Sequence, residues 1–139
     1  MGDQAAEQEI VFVDDMPQLL TIAEQMLKKL GHKVRCFANP VDALTYINDA
    51  ADQVGLLITD QSMPCMTGLE LIGAVRELPA RPSTVLSTSV PEASTVADYL
   101  AHGVDAVLPK PFTMSELETV VRKQFELQPD GQQPRVSGG

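Results

Sequence analysis

Leu56-Leu57-Ile58-Thr59-Asp60 is a short apolar run that stops on a carboxylate. A segment of this length without polar alternation reads as a strand buried on both faces, as in a parallel sheet covered by helices on either side. Four further runs flank it. Ile10-Val11-Phe12-Val13 ends at Asp14-Asp15, and Val34 to Phe37 follows as a second strand. Downstream lie Thr84-Val85-Leu86-Ser87-Thr88 and Ala106-Val107-Leu108.

Each run is followed by a segment of helical period. The first helix has Pro17 near its first position, presents Leu19, Ile22, Ala23, Met26 and Leu30 at spacings of three or four, and stops before Gly31. Asn39-Pro40 is the cap and first turn of a second helix expected to bury Val41, Leu44 and Ile47. Thr67-Gly68-Leu69-Glu70 has the form of a capping box, opening a third helix with Leu71, Ile72, Val75 and Leu78 inward until Pro79. A fourth helix runs from Pro91 to Ala101 and closes at Gly103. Thr113-Met114-Ser115-Glu116 repeats the capping-box form before a last helix with Leu117, Val120, Val121 and Phe125 inward. Parallel strands need right-handed helical crossovers, so five such units predict an α/β, doubly wound (βα)5 sandwich around a five-stranded parallel sheet. Its strand order stays open.

A chain of 139 residues with 44% hydrophobic content buries one ordinary core and leaves no room for a second domain of typical size. Residues 1–8 and 128–139 have the composition of flexible ends, and 9–127 form the expected domain. The net charge of -9 argues against a direct nucleic-acid surface, and no apolar stretch approaches the ~20 residues that cross a bilayer. With a polar, acidic N-terminus and two cysteines, Cys36 and Cys65, that lack metal-ligand spacing, a cytoplasmic protein with reduced thiols is expected. His32 and His102 each neighbour a helix-ending glycine, where C-terminal capping is their expected role.

In open α/β sheets the site lies beyond the carboxyl ends of the strands. Those ends carry Asp14 and Asp15, then Asp60, then Thr88, with Lys110 after the fifth strand. Carboxylates crowded in a cleft repel unless a cation sits among them, and a partial cage of hard oxygens suits Mg²⁺ at a phosphoryl-transfer site. Lys110 and Thr88 offer a point charge and a hydroxyl to a phosphate oxygen, and an aspartate held there can become an acyl phosphate. Each residue alone also has an ordinary role. Asp14-Asp15 would serve as a turn and helix cap, Asp60 and Lys110 as loop residues, Thr88 as a β-branched strand residue. Their joint placement at strand ends is what favours chemistry.

Four segments closely resemble the response-regulator receiver family of two-component signalling. They are Ile10 to Asp15, Thr59 to Gly68, Val85 to Ser89, and Leu108-Pro109-Lys110-Pro111-Phe112. The resemblance implies a flavodoxin-like fold with Asp60 as phosphoacceptor and a Mg²⁺ site made by Asp14, Asp15, Asp60 and the backbone carbonyl of Ser62. It further implies that Thr88, Ser89 and Lys110 bind the phosphoryl group and carry the switch, and that Lys110-Pro111 is a cis peptide. The wording of the Asp60 loop also looks like receivers attached to hybrid sensor kinases. Val107 stands where relatives commonly carry an aromatic switch residue, and Ser89 where Ala or Gly is usual.

The expected function is therefore a switch, not an enzyme. A histidine kinase or phosphotransfer protein donates to Asp60, and a downstream protein or output domain reads the face formed by residues 91–127, which is also the face a homodimer would use. Val107 motivates an alternative, a receiver-like docking module working largely independently of phosphorylation. A Mg²⁺-dependent aspartyl-phosphate phosphatase is disfavoured because Asp14 is followed by Asp15-Met16-Pro17 and not by an Asp-x-Asp pattern. A flavin site is disfavoured because no Gly- or Ser/Thr-rich loop follows the first strand.

Overall fold

A computed structural model of the chain describes residues 8–50, 52–79, 81–89 and 93–127. Five strands, β1 (Glu9–Val13), β2 (Lys33–Phe37), β3 (Val54–Asp60), β4 (Ser83–Ser89) and β5 (Ala106–Lys110), alternate with five helices. The helices are α1 (Pro17–Lys29), α2 (Pro40–Asp49), α3 (Gly68–Arg76), α4 (Ala93–Ala101) and α5 (Met114–Glu126). Of the expected flexible ends, residues 1–7 and 128–139 lie outside the described residues, as does the expected helix start at Pro91. Among the described residues no helix is long and apolar enough to cross a membrane.

All strand pairs are parallel, in the order β2-β1-β3-β4-β5. The chain steps one way from β1 to β2 and the other way to β3, so the switch point of the sheet falls between β1 and β3. All seven residues of β3 are buried, which is why that run shows no polar alternation. One core cluster joins Val11, Val13, Leu57 and Leu86 to the buried faces of α2 and α3; the other joins Phe12, Ile58, Val85 and Leu108 to α1 and α5. The two outer strands are more exposed. β2 carries charged Lys33 and Arg35 on its exposed side, and β5 exposes Pro109.

Both expected capping boxes form. The Thr67 and Thr113 hydroxyls accept the Glu70 and Glu116 N–H groups at 3.1 Å, and each glutamate accepts its threonine's N–H in return. Gly31 and Gly103 adopt positive φ of 92° and 99° past α1 and α4, and His102 Nδ1 lies 2.7 Å from the Asp98 carbonyl at the end of α4.

Two helices bury part of the expected face, Ala23 in α1 and Ile47 in α2, and otherwise turn by about one residue from it. α1 buries Ala23 and Leu27, with Leu20 and Met26 packed alongside, while Ile22 is 46% exposed. α2 buries Pro40, Ala43 and Ile47, and Val41 is 47% exposed. α1 carries two neighbouring apolar stripes, each at three-to-four spacing, and the sheet covers only one of them. α5 follows expectation at Leu117 and Val121, but Gln124 is buried where Val120 and Phe125 are only partly so.

Candidate functional site

Register carries the acids to one place. Val13 pairs with Thr59, so the next residues, Asp14 and Asp60, leave β1 and β3 side by side at the switch point. Asp14 is 1% exposed and Asp60 8%, while Asp15 is exposed. One carboxylate oxygen from each of Asp14, Asp15 and Asp60 lies within 4.8 Å of the others. Lys110 enters from β5, and its Nζ donates to Asp14 Oδ2 at 2.8 Å and to Asp60 Oδ1 at 3.0 Å. An ammonium has three donors, so one remains for a ligand oxygen.

The electrostatics follow from this crowding. Burial pushes the Asp60 carboxyl above its ordinary value, the hydrogen bond from Lys110 opposes that, and the Asp14 charge adds to it. For Lys110, burial pulls downward, but hydrogen bonds to Asp14 and Asp60 and the charges behind them together prevail and raise it. The cluster is a strained set of acids held by one cation. Asp14 also accepts the Met16 N–H at 2.9 Å through its Oδ1, so the expected turn-capping role and the site role coexist in one side chain.

The loop after Asp60 is anchored at α3. The Gln61 carbonyl accepts the Gly68 N–H at 3.0 Å and its side-chain Oε1 accepts the Leu69 N–H at 2.9 Å. A Cβ on Gly68 would stand 2.3 Å from the Asp60 carbonyl oxygen, so only glycine lets the helix start this close to the end of β3. Sequence reasoning missed Gln61. Its position directly after the strand-end aspartate, shortly before a capping box, was the available signal.

The remaining candidates lie on the loop after Asp60 and on β4 and β5. Ser62 lies exposed in the same loop, two residues past Asp60. Thr88 and Ser89 end β4 opposite Pro109 and Lys110 of β5, Thr88 half-buried and Ser89 exposed. Lys110-Pro111 is cis. Val107 pairs with Leu86 and packs, with Tyr99, against the core cluster under α2 and α3. Beside the acids, Leu19, Ile22 and Met26 of α1 face Ser89, Lys110, Pro111 and Phe112 across an apolar groove of about 470 Å³. Ile22, which the sheet leaves exposed, forms one wall of that groove together with Leu19 and Met26.

Cys36 and Cys65 are both free thiols. Burial and the nearby Glu24 push Cys36 up to about 11, with Lys28 opposing. Cys65 is exposed and takes a positive φ of 74° in the loop after Asp60.

Comparison with known proteins agrees with this geometry. A family model described as the response regulator receiver domain matches residues 10–122. The chain is 31% identical over 114 residues to a DNA-binding transcriptional regulator NtrC of Azospirillum brasilense, covering 82% of this chain and 23% of that one. It is 34% identical over 125 residues to the two-component response regulator ARR11 of Arabidopsis thaliana, covering 84% and 23%. The chain thus spans under a quarter of the length of these relatives. Among solved structures, the chemotaxis protein CheY4 of Vibrio cholerae superposes with a TM-score of 0.79 at 25% identity, covering 86% of this chain and 99% of that one. The receiver domain of a Pseudomonas aeruginosa sensor histidine kinase, described with a magnesium ion coordinated in its active site cleft, gives 0.77 at 24% identity, covering 87% and 99%. The buried acid pair, the lysine that spans the sheet to reach it and the match across residues 10–122 lead to one conclusion: this chain belongs to the response regulator receiver domain family.

Proposed function

We propose that Asp60 is the phosphoacceptor, taking a phosphoryl group from a histidine kinase or histidine phosphotransfer protein within a unit spanning residues 9–127. The observation that carries this is the meeting of Asp14, Asp15 and Asp60 under the Lys110 ammonium. An Asp60 carboxylate oxygen forms the new O–P bond as the N–P bond of the donor phosphohistidine breaks, and the imidazole keeps the electron pair. Lys110 holds the unmodified Asp60 in place through one hydrogen bond, and its donors turn to the transferred group once that group has arrived.

Asp14, Asp15 and Asp60, with the Ser62 carbonyl as the proposed further ligand, would make an all-oxygen donor set suited to Mg²⁺, and three carboxylates within 4.8 Å fit a divalent cation better than a single ammonium. When bound, Mg²⁺ would neutralise charge on the acids and on the incoming phosphoryl oxygens. The groove between α1 and the β5–α5 loop opens beside Lys110, and its apolar walls fit a donor helix that must bring a phosphohistidine to Asp60. Thr88 and Ser89 sit where a phosphoryl group would be felt by β4, and the α4–β5–α5 face within residues 91–127 is the surface a downstream protein, output domain or second copy would read.

The unit acts as a cytoplasmic switch and not as a turnover enzyme, with protein and not nucleic acid or membrane as its direct partner. A module that docks without phosphorylation would have no need of carboxylates crowded this closely. The test is intact-mass measurement after incubation with a small phosphodonor and Mg²⁺. Wild type is expected to gain one phosphoryl group and Asp60→Asn none; equal labelling of the two proteins refutes the assignment.

A further inference from the structure

Asp14 on β1 and Asp60 on β3 share an ammonium that comes from β5, so the Lys110 side chain passes over β4 to reach them. The β4 residue level with Asp60 is Ser87, its register partner, which pairs in turn with Leu108 of β5. Register partners direct their side chains to the same face of a sheet. Ser87 therefore stands on the Asp60 face, continuing the row of Ile58, Val85 and Leu108. It is 1% exposed, and among the described residues its Oγ is the one buried side-chain nitrogen or oxygen with no hydrogen-bond partner. Buried hydroxyls are nearly always paired, and an unpaired one weakens the fold. If packing were its only task, an apolar side chain would serve this position better.

We infer that Ser87 is a positioning residue whose hydroxyl, unpartnered beside the free carboxylate, donates to the Asp60 carboxyl oxygen once a phosphoryl group draws Lys110 away; this rests on the phosphoacceptor role proposed for Asp60. Phosphorylation makes one Asp60 oxygen the bridge of an acyl phosphate and leaves the other as a buried carbonyl oxygen, with one lone pair for the cation proposed above and one for a further donor. Lys110 has already committed two of its three donors, to Asp14 and Asp60. The phosphoryl oxygens carry the new charge and compete for the second of these. A serine hydroxyl moves by rotation about a single side-chain torsion, so Ser87 reaches a neighbour in register without any backbone movement.

The experiment compares wild type, Ser87→Ala and Ser87→Thr in two measurements: the melting temperature without ligand, and the affinity for beryllofluoride with Mg²⁺ by calorimetry. Ser87→Ala is expected to melt about 3 °C higher, because the unpaired hydroxyl is gone. It is also expected to bind beryllofluoride about tenfold more weakly, the worth of one hydrogen bond near a charged group. Ser87→Thr should restore affinity to within about twofold, since it keeps the donor. Unchanged affinity in Ser87→Ala overturns the assignment, and so does a melting temperature no higher than wild type, the sign of a hydroxyl already satisfied by a buried water. Should Ser87→Ala fold poorly, Ser87→Cys keeps the volume with a much weaker donor and is held to the same affinity outcome. Wild type that fails to bind beryllofluoride, or Asp60→Asn that binds it equally, overturns the phosphoacceptor role itself.

Discussion

Replacing Lys110 by methionine keeps most of the side-chain volume and removes the only cation that contacts both Asp14 and Asp60 among the described residues. Two carboxylate oxygens within 4.8 Å then repel by about 3.5 kcal/mol at an effective dielectric of about 20. The cost of breaking a buried pair from one side, ~3–5 kcal/mol, is the same size. Spread over a domain of this length, that loss lowers the melting temperature by roughly 10–15 °C. The pH dependence has a definite sign. Asp60 is already held above its ordinary value, so the folded state keeps that proton longer than the unfolded state does. The penalty in Lys110→Met is absent while Asp60 is protonated and enters as pH rises through the folded value. Thermal melts of wild type and variant between about pH 4 and about pH 8 should therefore diverge toward the alkaline end, and added Mg²⁺ should narrow the gap at neutral pH. Parallel melting curves over the whole range, with no response to Mg²⁺, would refute the view that Lys110 holds these acids together.

Leu27→Ala, at a fully buried position of α1, should cost ~2–5 kcal/mol in urea denaturation, whereas Ile22→Ala on the exposed stripe should cost under about 1 kcal/mol. Equal losses would put the sheet-facing side of α1 in the wrong place. Gly68→Ala forces a Cβ to within 2.3 Å of the Asp60 carbonyl oxygen, so it should destabilise by ~1–3 kcal/mol and reduce phosphodonor labelling at Asp60, both read on one preparation. At neutral pH an alkylating reagent should modify exposed Cys65 well before Cys36, whose thiol is pushed up to about 11; peptide mapping after partial labelling gives the order.

β1 and β3 were the most legible strands because each carries a continuous apolar run, and the sheet buries them as those runs require, β3 most completely. The caps at Thr67 and Thr113 were equally plain, since a capping box is a local pattern that depends on four consecutive residues. Asp14, Asp60 and Lys110 could be placed together because strand ends in such a sheet share one edge. The facing of α1 and α2 was legible only at Ala23 and Ile47. Adjacent stripes on α1 satisfy the same period, and only packing against a particular pair of strands selects Leu27 over Ile22. Ser87 and Gln61 escaped notice for a related reason. A serine inside a strand carries no signal until strand order and register bring it beside Asp60, and the glutamine, though next to Asp60 in sequence, shows its role only through the bonds it makes to the start of α3.

The outer strands limit how this domain can meet others. An exposed strand edge normally invites another chain to add a strand, yet here one margin bears Lys33 and Arg35, and the other interrupts its ladder with Pro109, which has no N–H to give. Continuing the sheet across two molecules is thereby discouraged at both ends. Complexes are then left to helix surfaces, outward side chains of β5 and the loops above the strands.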